Sequence, residues 1–278
     1  MKQVHHQTGN LFFLPSPPRR IISIVPSQTE FLFDLGLSDE VVGITKFCVH
    51  PQQWFHSKTR VGGTKQLNLP LIESLQPDLV IAGKEENVKE QVEAIAAFCP
   101  VWCSDIATLA DAYDMMTTIS SLTGNESRAA EIIQTIQNEF ADLPKANTKV
   151  KAAYLIWQNP YMTIGGDTFI HTMMEAAGFE NVFAHRTRYP SISMQELINA
   201  GAEVILFSSE PFPFNEKHLH LFRQEYKQLN PSIPHLKIVD GELFSWYGSR
   251  LIHAANYFRK LKESLFLNDE FTVSGVSL

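Results

Sequence analysis

The segment MQELINAGAEVILFSSE, beginning at Met194, lies over LPLIESLQPDLVIAGKE, beginning at Leu69, at an offset of 125 residues. Leu197 falls on Ile72, Glu203 on Asp78 and Ile205 on Val80. At an offset about six residues larger KAAYLIW falls on RRIISIV, and LKIVDG later parallels PVWCSD. Each copy reads as a short helix, a turn and an apolar strand. Such a unit buries its strand only by pairing it and packing helices on it, so a second copy implies a second lobe of the same architecture.

The text around the first copy fills in that lobe. RIISIV, residues 20–25, is a β-branched run followed by PSQTE and the helical pattern Phe31, Leu32, Leu35. PSQTE reads as a strand-to-helix loop in which Ser27 or Thr29 caps the helix, and Gly36 sits where a left-handed residue ends it. Residues 41–45, 79–82 and 100–104 read as further strands, with helices in LPLIES and EENVKEQVEAIAAF. Strands alternating with helices pair in parallel through helical crossovers.

The middle of the chain changes character. TLADAYDMMTTISSL opens with Thr108 and Asp111 in capping-box spacing, and after Gly124 the pattern Ala129, Ile132, Ile133, Ile136, Phe140 makes a second helix with no strand between. At ~1.5 Å per residue the helix around residues 126–142 is on the order of 25 Å long, which suits a strut. The expected fold is therefore α/β: an N-terminal lobe over residues 1–124, a backbone helix within 125–148 and a C-terminal lobe over 149–278. Both lobes carry mainly parallel sheets, and one long rigid helix bridges them. A rigid bridge predicts that free and ligand-bound forms superpose closely.

Familiar catalytic patterns are missing. There is no G-x-x-x-x-G-K-[ST], and GGTK at Gly62–Lys65 reads as a turn; G-x-S-x-G and H-E-x-x-H are also absent. Soft and borderline metal donors occur as Cys48-x-His50, Cys99-x3-Cys103, His171, His185 and His253, but the pairs fall in different elements. The prediction is a non-enzyme with no catalytic residue, no resident metal and no intrinsic cofactor.

The loops that follow strands are richer, and in an open parallel sheet these are the segments that meet a ligand. PSQTE contributes Gln28, KFCVHP contributes Lys46 and His50, VGGTKQ contributes Thr64, and GKEEN contributes Glu85. WQNPYM adds Trp157 and Tyr161, RTRYP adds Arg188 and Tyr189, and SSEPFPF adds Phe212. GELFSWYGSR adds Phe244, Trp246, Tyr247 and Arg250, expected as the C-lobe wall of the site with Arg250 facing an acidic group of the ligand. Aromatic faces beside a few cations suit a large planar ligand carrying carboxylates, amides or phosphate. About half of the loop aromatics are expected to pack as core.

Charge and compartment narrow the partners. A net charge of −7 argues against nucleic acid and anionic membrane surfaces. Three cysteines cannot all pair within one chain. LFFL, the apolar run of the N-terminal stretch, is shorter than the ~7–15 residues of a signal-peptide core. The chain as written is thus expected in the cytoplasm, and in the periplasm or at the cell surface where a leader has been removed.

Three segments, RIISIVPSQTEFLFDLGLSDEVVGIT, RVGGTKQLNLPLIESLQPDLVIAG and WYGSRLIHAA, resemble the class III solute-binding proteins, the helical-backbone metal receptors. The similarity runs from about Arg20 to Lys260, and the cobalamin-binding branch is the nearest in pattern. The resemblance implies two α/β lobes with a ligand cleft between them, and a metal chelate such as a corrinoid, haem or ferric siderophore as ligand. It also implies an ABC permease as partner. Two positions depart from that branch, which has a Trp where this chain has Thr64 and a docking Glu where it has Pro70, with Glu73 one helical turn away. The alternatives are a chelatase-like metal-insertion enzyme using His50, Glu85 and Glu86, and a direct Mn/Zn receptor using His50, His185, Glu85 and Glu210.

Overall fold

Strand register carries the repeat into three dimensions. In the computed structural model, which describes residues 2–5, 7–9, 11–14, 16–144 and 149–266, Ile21, Ile22 and Ser23 pair in parallel with Leu79, Val80 and Ile81. Their counterparts Ala152, Ala153 and Tyr154 pair in parallel with Val204, Ile205 and Leu206. On the other side, Val80 pairs with Val101 and Ile205 with Leu236, so the third strand of the second copy sits one residue out of the sequence overlay.

The chain divides into two units, Met1–Gln137 with Trp246–Ile252, and Asn138–Ser245 with His253–Leu278. The first holds a five-stranded parallel sheet in the order Thr59–Arg60, Val41–Ile44, Ile21–Ser23, Leu79–Gly83, Val101–Ser104. The second holds a four-stranded parallel sheet in the order Phe179–Asn181, Val150–Leu155, Val204–Ser208, His235–Val239. An N-terminal ribbon of Lys2–His5 with Leu11–Leu14 runs antiparallel and was not anticipated from the sequence.

Central parallel strands are covered on both faces and so read as unbroken apolar runs. Ile21–Ser23, Leu79–Gly83 and Val204–Ser208 are buried throughout. In the first unit Ile22, Val80 and Ala82 pack with Ile72 of the helix Leu69–Ser74 and Ile95 of the helix Lys89–Ala96. In the second, Ala153, Ile205 and Phe207 pack with Leu197 of the helix Met194–Asn199 and Phe222 of the helix Glu216–Leu229. Ile72 and Leu197, matched in the sequence, thus do the same work in their own cores.

The two consecutive helices are Leu109–Thr123, with the Thr108–Asp111 capping box at its start and Gly124 at φ +77° at its end, and Glu126–Ala141. The expected loop at PSQTE is corrected. Pro26 is the first helical residue of Pro26–Asp34, because its fixed φ and missing N–H suit that position, and Val25 precedes it without a side-chain cap. Ser27 and Thr29 therefore lie inside the first turn, and the Thr29 hydroxyl donates back to the Val25 carbonyl at 2.9 Å.

Candidate functional site

An open parallel sheet offers a crevice beyond the carboxyl ends of its strands where the strand order reverses. In the first unit the reversal lies between Ile21–Ser23 and Leu79–Gly83. Gln28, in the helix turn that follows the former, is fully buried, and its Nε2 donates to Ser104 Oγ at 2.6 Å while its Oε1 has no hydrogen-bond partner. Asn87, which the sequence reading passed over, pins the loop that follows the latter. Its Nδ2 donates to the carbonyls of Ile24 and Thr64 at 3.1 and 3.2 Å, and its Oδ1 accepts the Gly83 N–H at 2.9 Å. One amide thereby ties together the strand ends and the hairpin Gly62–Gly63/Gln66–Leu67. Thr64 is buried and enters this network through its backbone.

The same loop carries two adjacent carboxylates. The backbone carbonyl of Glu85 accepts from Lys65 Nζ at 2.8 Å. Glu86 is half-buried, and burial pushes its carboxyl above the usual 4.5, against the attraction of Lys65.

After the strand Val41–Ile44, Lys46 Nζ sits 5.2 Å from the centre of the Phe47 ring. Phe47 is 51% exposed and presents an open aromatic face on the loop after this strand, yet the sequence reading singled out only its neighbours. A Cβ on Gly63 would lie 3.2 Å from both Lys46 Cε and Phe47 Cε2, so the bare backbone there admits the pair. Cys48 is buried between Thr29 and Thr45, and burial pushes its thiol up.

The stretch GELFSWYGSR divides between the units. Glu242–Ser245 is a short helix of the second, whereas Trp246–Ile252 belongs to the first, so the expected C-lobe wall is corrected. Phe244 is 0% exposed, packed between Tyr154 at 5.2 Å and Phe258 at 4.8 Å; it is core of the second unit and presents no face to a ligand. Trp246 meets the His50 ring edge-on at 5.6 Å and lies under the Arg250 guanidinium, 4.8 Å from its centre. At 8% exposure its indole has little open face. Arg250 Nε and Nη2 donate to Glu30 Oε2 and Oε1, both at 2.7 Å, so a protein carboxylate stands where a ligand group was expected. Gly83 allows Tyr247 to approach, since a Cβ there would lie 3.3 Å from the Tyr247 hydroxyl and 3.1 Å from Ser104 Oγ.

In the second unit the strand order reverses between Val150–Leu155 and Val204–Ser208, and the loops after both strands are aromatic. Trp157, 40% exposed, stands edge-on to Phe212 at 5.6 Å. Phe212 tilts on Phe214 at 4.7 Å and meets His218 at 5.0 Å, and Phe214 packs on the core residue Phe207 at 5.2 Å. The rings step outward from the core to an open indole.

Tyr161 is a brace in this structure. Its ring stands edge-on to Phe222 at 5.6 Å, its hydroxyl donates to Glu225 Oε2 at 3.3 Å, and burial pushes that hydroxyl up to about 12. Arg188 adopts φ +59°, its N–H donates to Asp167 Oδ1 at 2.6 Å, and its guanidinium lies 5.6 Å over the Tyr189 ring. Arg186 pairs with Glu196 at 2.8 Å.

The periplasmic binding protein family matches residues 21–228. The chain belongs to that family. A vitamin B12-binding protein of Vibrio parahaemolyticus is 28% identical over 205 residues, 72% of this chain and 74% of that protein. The crystal structure of the periplasmic vitamin B12-binding protein of Vibrio cholerae superposes with a TM-score of 0.71 at 20% identity, over 90% of this chain and 100% of that one. A periplasmic haem-binding protein from Pseudomonas aeruginosa gives 0.75 at 18% identity, over 89% and 94%.

The relatives named above are binding proteins, and the thiols of this chain are poor nucleophiles. Burial pushes Cys99 up to about 12 and Cys103 up to about 11, far from the thiolate that nucleophilic attack requires. Among the described residues no group of three or more His, Cys, Asp or Glu side chains gathers to hold a metal ion. Among the same residues no helix is long and apolar enough to cross a membrane.

Proposed function

We propose that this periplasmic binding protein is the receptor component of an ABC importer for an organic metal chelate, with a corrinoid the first ligand to test. The observation that carries the reading is the pair of open rings, Phe47 and Trp157, each on a loop that follows a sheet strand of its own unit. Open aromatic faces with polar neighbours suit the flat, apolar body and polar rim of a corrin or porphyrin. Lys46 beside Phe47 and Arg188 over Tyr189 supply cations for that rim. The vitamin B12-binding relative and the B12- and haem-binding structural neighbours support the same ligand class. The partner in this reading is an ABC permease, and the place of action is the outer face of the cytoplasmic membrane.

Native mass spectrometry with visible spectroscopy tests it, using cyanocobalamin, haemin and a ferric hydroxamate siderophore. Stoichiometric retention of one of the three, recovered chemically unchanged, is the expected result. Retention of none would overturn the reading.

A further inference from the structure

His218, the third residue of the helix Glu216–Leu229, is held from two sides. Its Nδ1 accepts the Asn215 N–H at 3.1 Å, while Asn215 Oδ1 accepts the Lys217 N–H at 3.1 Å, which together cap the helix. A backbone N–H can only donate, so in the neutral ring the lone pair is on Nδ1 and the proton on Nε2. The ring, steered by that bond, stands edge-on to Phe212 at 5.0 Å and to Phe214 at 5.9 Å. Phe214 is core, so Phe212 is the neighbour that can yield. Phe212 in turn reaches Trp157, for its N–H donates to the Ile156 carbonyl at 3.3 Å and its ring meets the indole edge-on at 5.6 Å. The Trp157 backbone is held separately by its bridge to Met162, so the contact with Phe212 bears on the side chain alone.

We infer that His218 is a positioning residue for the open indole of Trp157: its ring, oriented by the bond to Asn215, holds Phe212 against that indole. The consequence for a ligand rests on the functional reading above, whereas the positioning of Trp157 stands on the ring contacts. His218 has two separable duties, since its nitrogen caps a helix and its ring backs Phe212. A residue that acted through the cap alone would change stability and leave Trp157 as it was.

Acrylamide quenching of tryptophan fluorescence tests this, because Trp54, Trp102 and Trp246 are buried and Trp157 is open. A Gln at the third helical position can accept the Asn215 N–H as His218 does, so His218→Gln keeps the cap and removes the ring. It should raise the quenching constant about 1.5-fold and weaken cyanocobalamin about threefold, the loss expected of one aromatic pair. His218→Phe keeps the ring and leaves the Asn215 N–H without its acceptor, so it should retain the parent's quenching constant while its thermal midpoint falls. Parent-like quenching in folded His218→Gln overturns the inference, as does raised quenching in His218→Phe, which decides alone where His218→Gln does not fold. A parent that retains none of the three chelates overturns the functional reading, and the quenching comparison still decides the role of His218.

Discussion

At the reversal of strand order in the first unit, one buried amide holds three backbone groups and one ion pair holds an indole. At the matching point of the second unit, Phe207, Phe214, Phe212 and Trp157 step from core to solvent through ring contacts. The sheets beneath share their register, Ile22 with Val80 in one and Ala153 with Ile205 in the other. The two units thus share a scaffold and differ in the loops it carries. Polar pinning fixes geometry and responds to charge, whereas stacked rings tolerate repacking and depend on area.

Truncation of the deepest ring should mark the difference most strongly. Phe244→Ala removes a fully buried ring from the second unit and should cost about 3–5 kcal/mol of stability in urea titration. A loss below about 1 kcal/mol would show that this core is looser than its packing implies. In the first unit the matching probe is polar. Asn87→Ala strands the Gly83 N–H and the Ile24 and Thr64 carbonyls, and should cost about 1–3 kcal/mol. Faster hydrogen exchange at the Gly83 amide is its expected signature, and unchanged protection there would break the pinning argument.

The smallest effect is a pH dependence confined to the first unit. Burial raises the Glu86 carboxyl above 4.5, so the folded form holds this proton more tightly than the unfolded chain. Its contribution to stability is whole below about pH 4.5 and is lost as pH rises through the raised value. Glu86→Gln should accordingly be more stable than the parent at neutral pH and equal to it below about pH 4.5. Denaturant midpoints at the two pH values decide it, and a variant less stable than the parent at neutral pH would contradict the assigned cause.

Much of the scaffold could be read from local text, because buried strands, capping boxes and terminating glycines are written in adjacent residues. Thr108 with Asp111, Gly124 and the apolar run of residues 79–82 are of that kind. What escaped was long-range. The return of Trp246–Ile252 to the first unit is accompanied by the meeting of Arg250 with Glu30, which no window of sequence contains. Asn87 acts through three partners drawn from separate segments, Gly83, Ile24 and Thr64, which its local text does not bring together. Phe47 was hidden for another reason: composition cannot tell an open ring from a buried one, and here Phe47 is open while Phe244 and Phe214 are core.

The central claim is that a chelate is recognised by the open rings of the loops, and calorimetric titration of cyanocobalamin into the parent, Phe47→Ala and Trp157→Ala tests it most directly. Both rings are substantially exposed, so neither truncation should lower the thermal midpoint appreciably. Truncation of the ring that stacks on the chelate should weaken binding about tenfold, the loss expected of one stacked aromatic contact. Equal affinity in the parent and both variants would contradict the account.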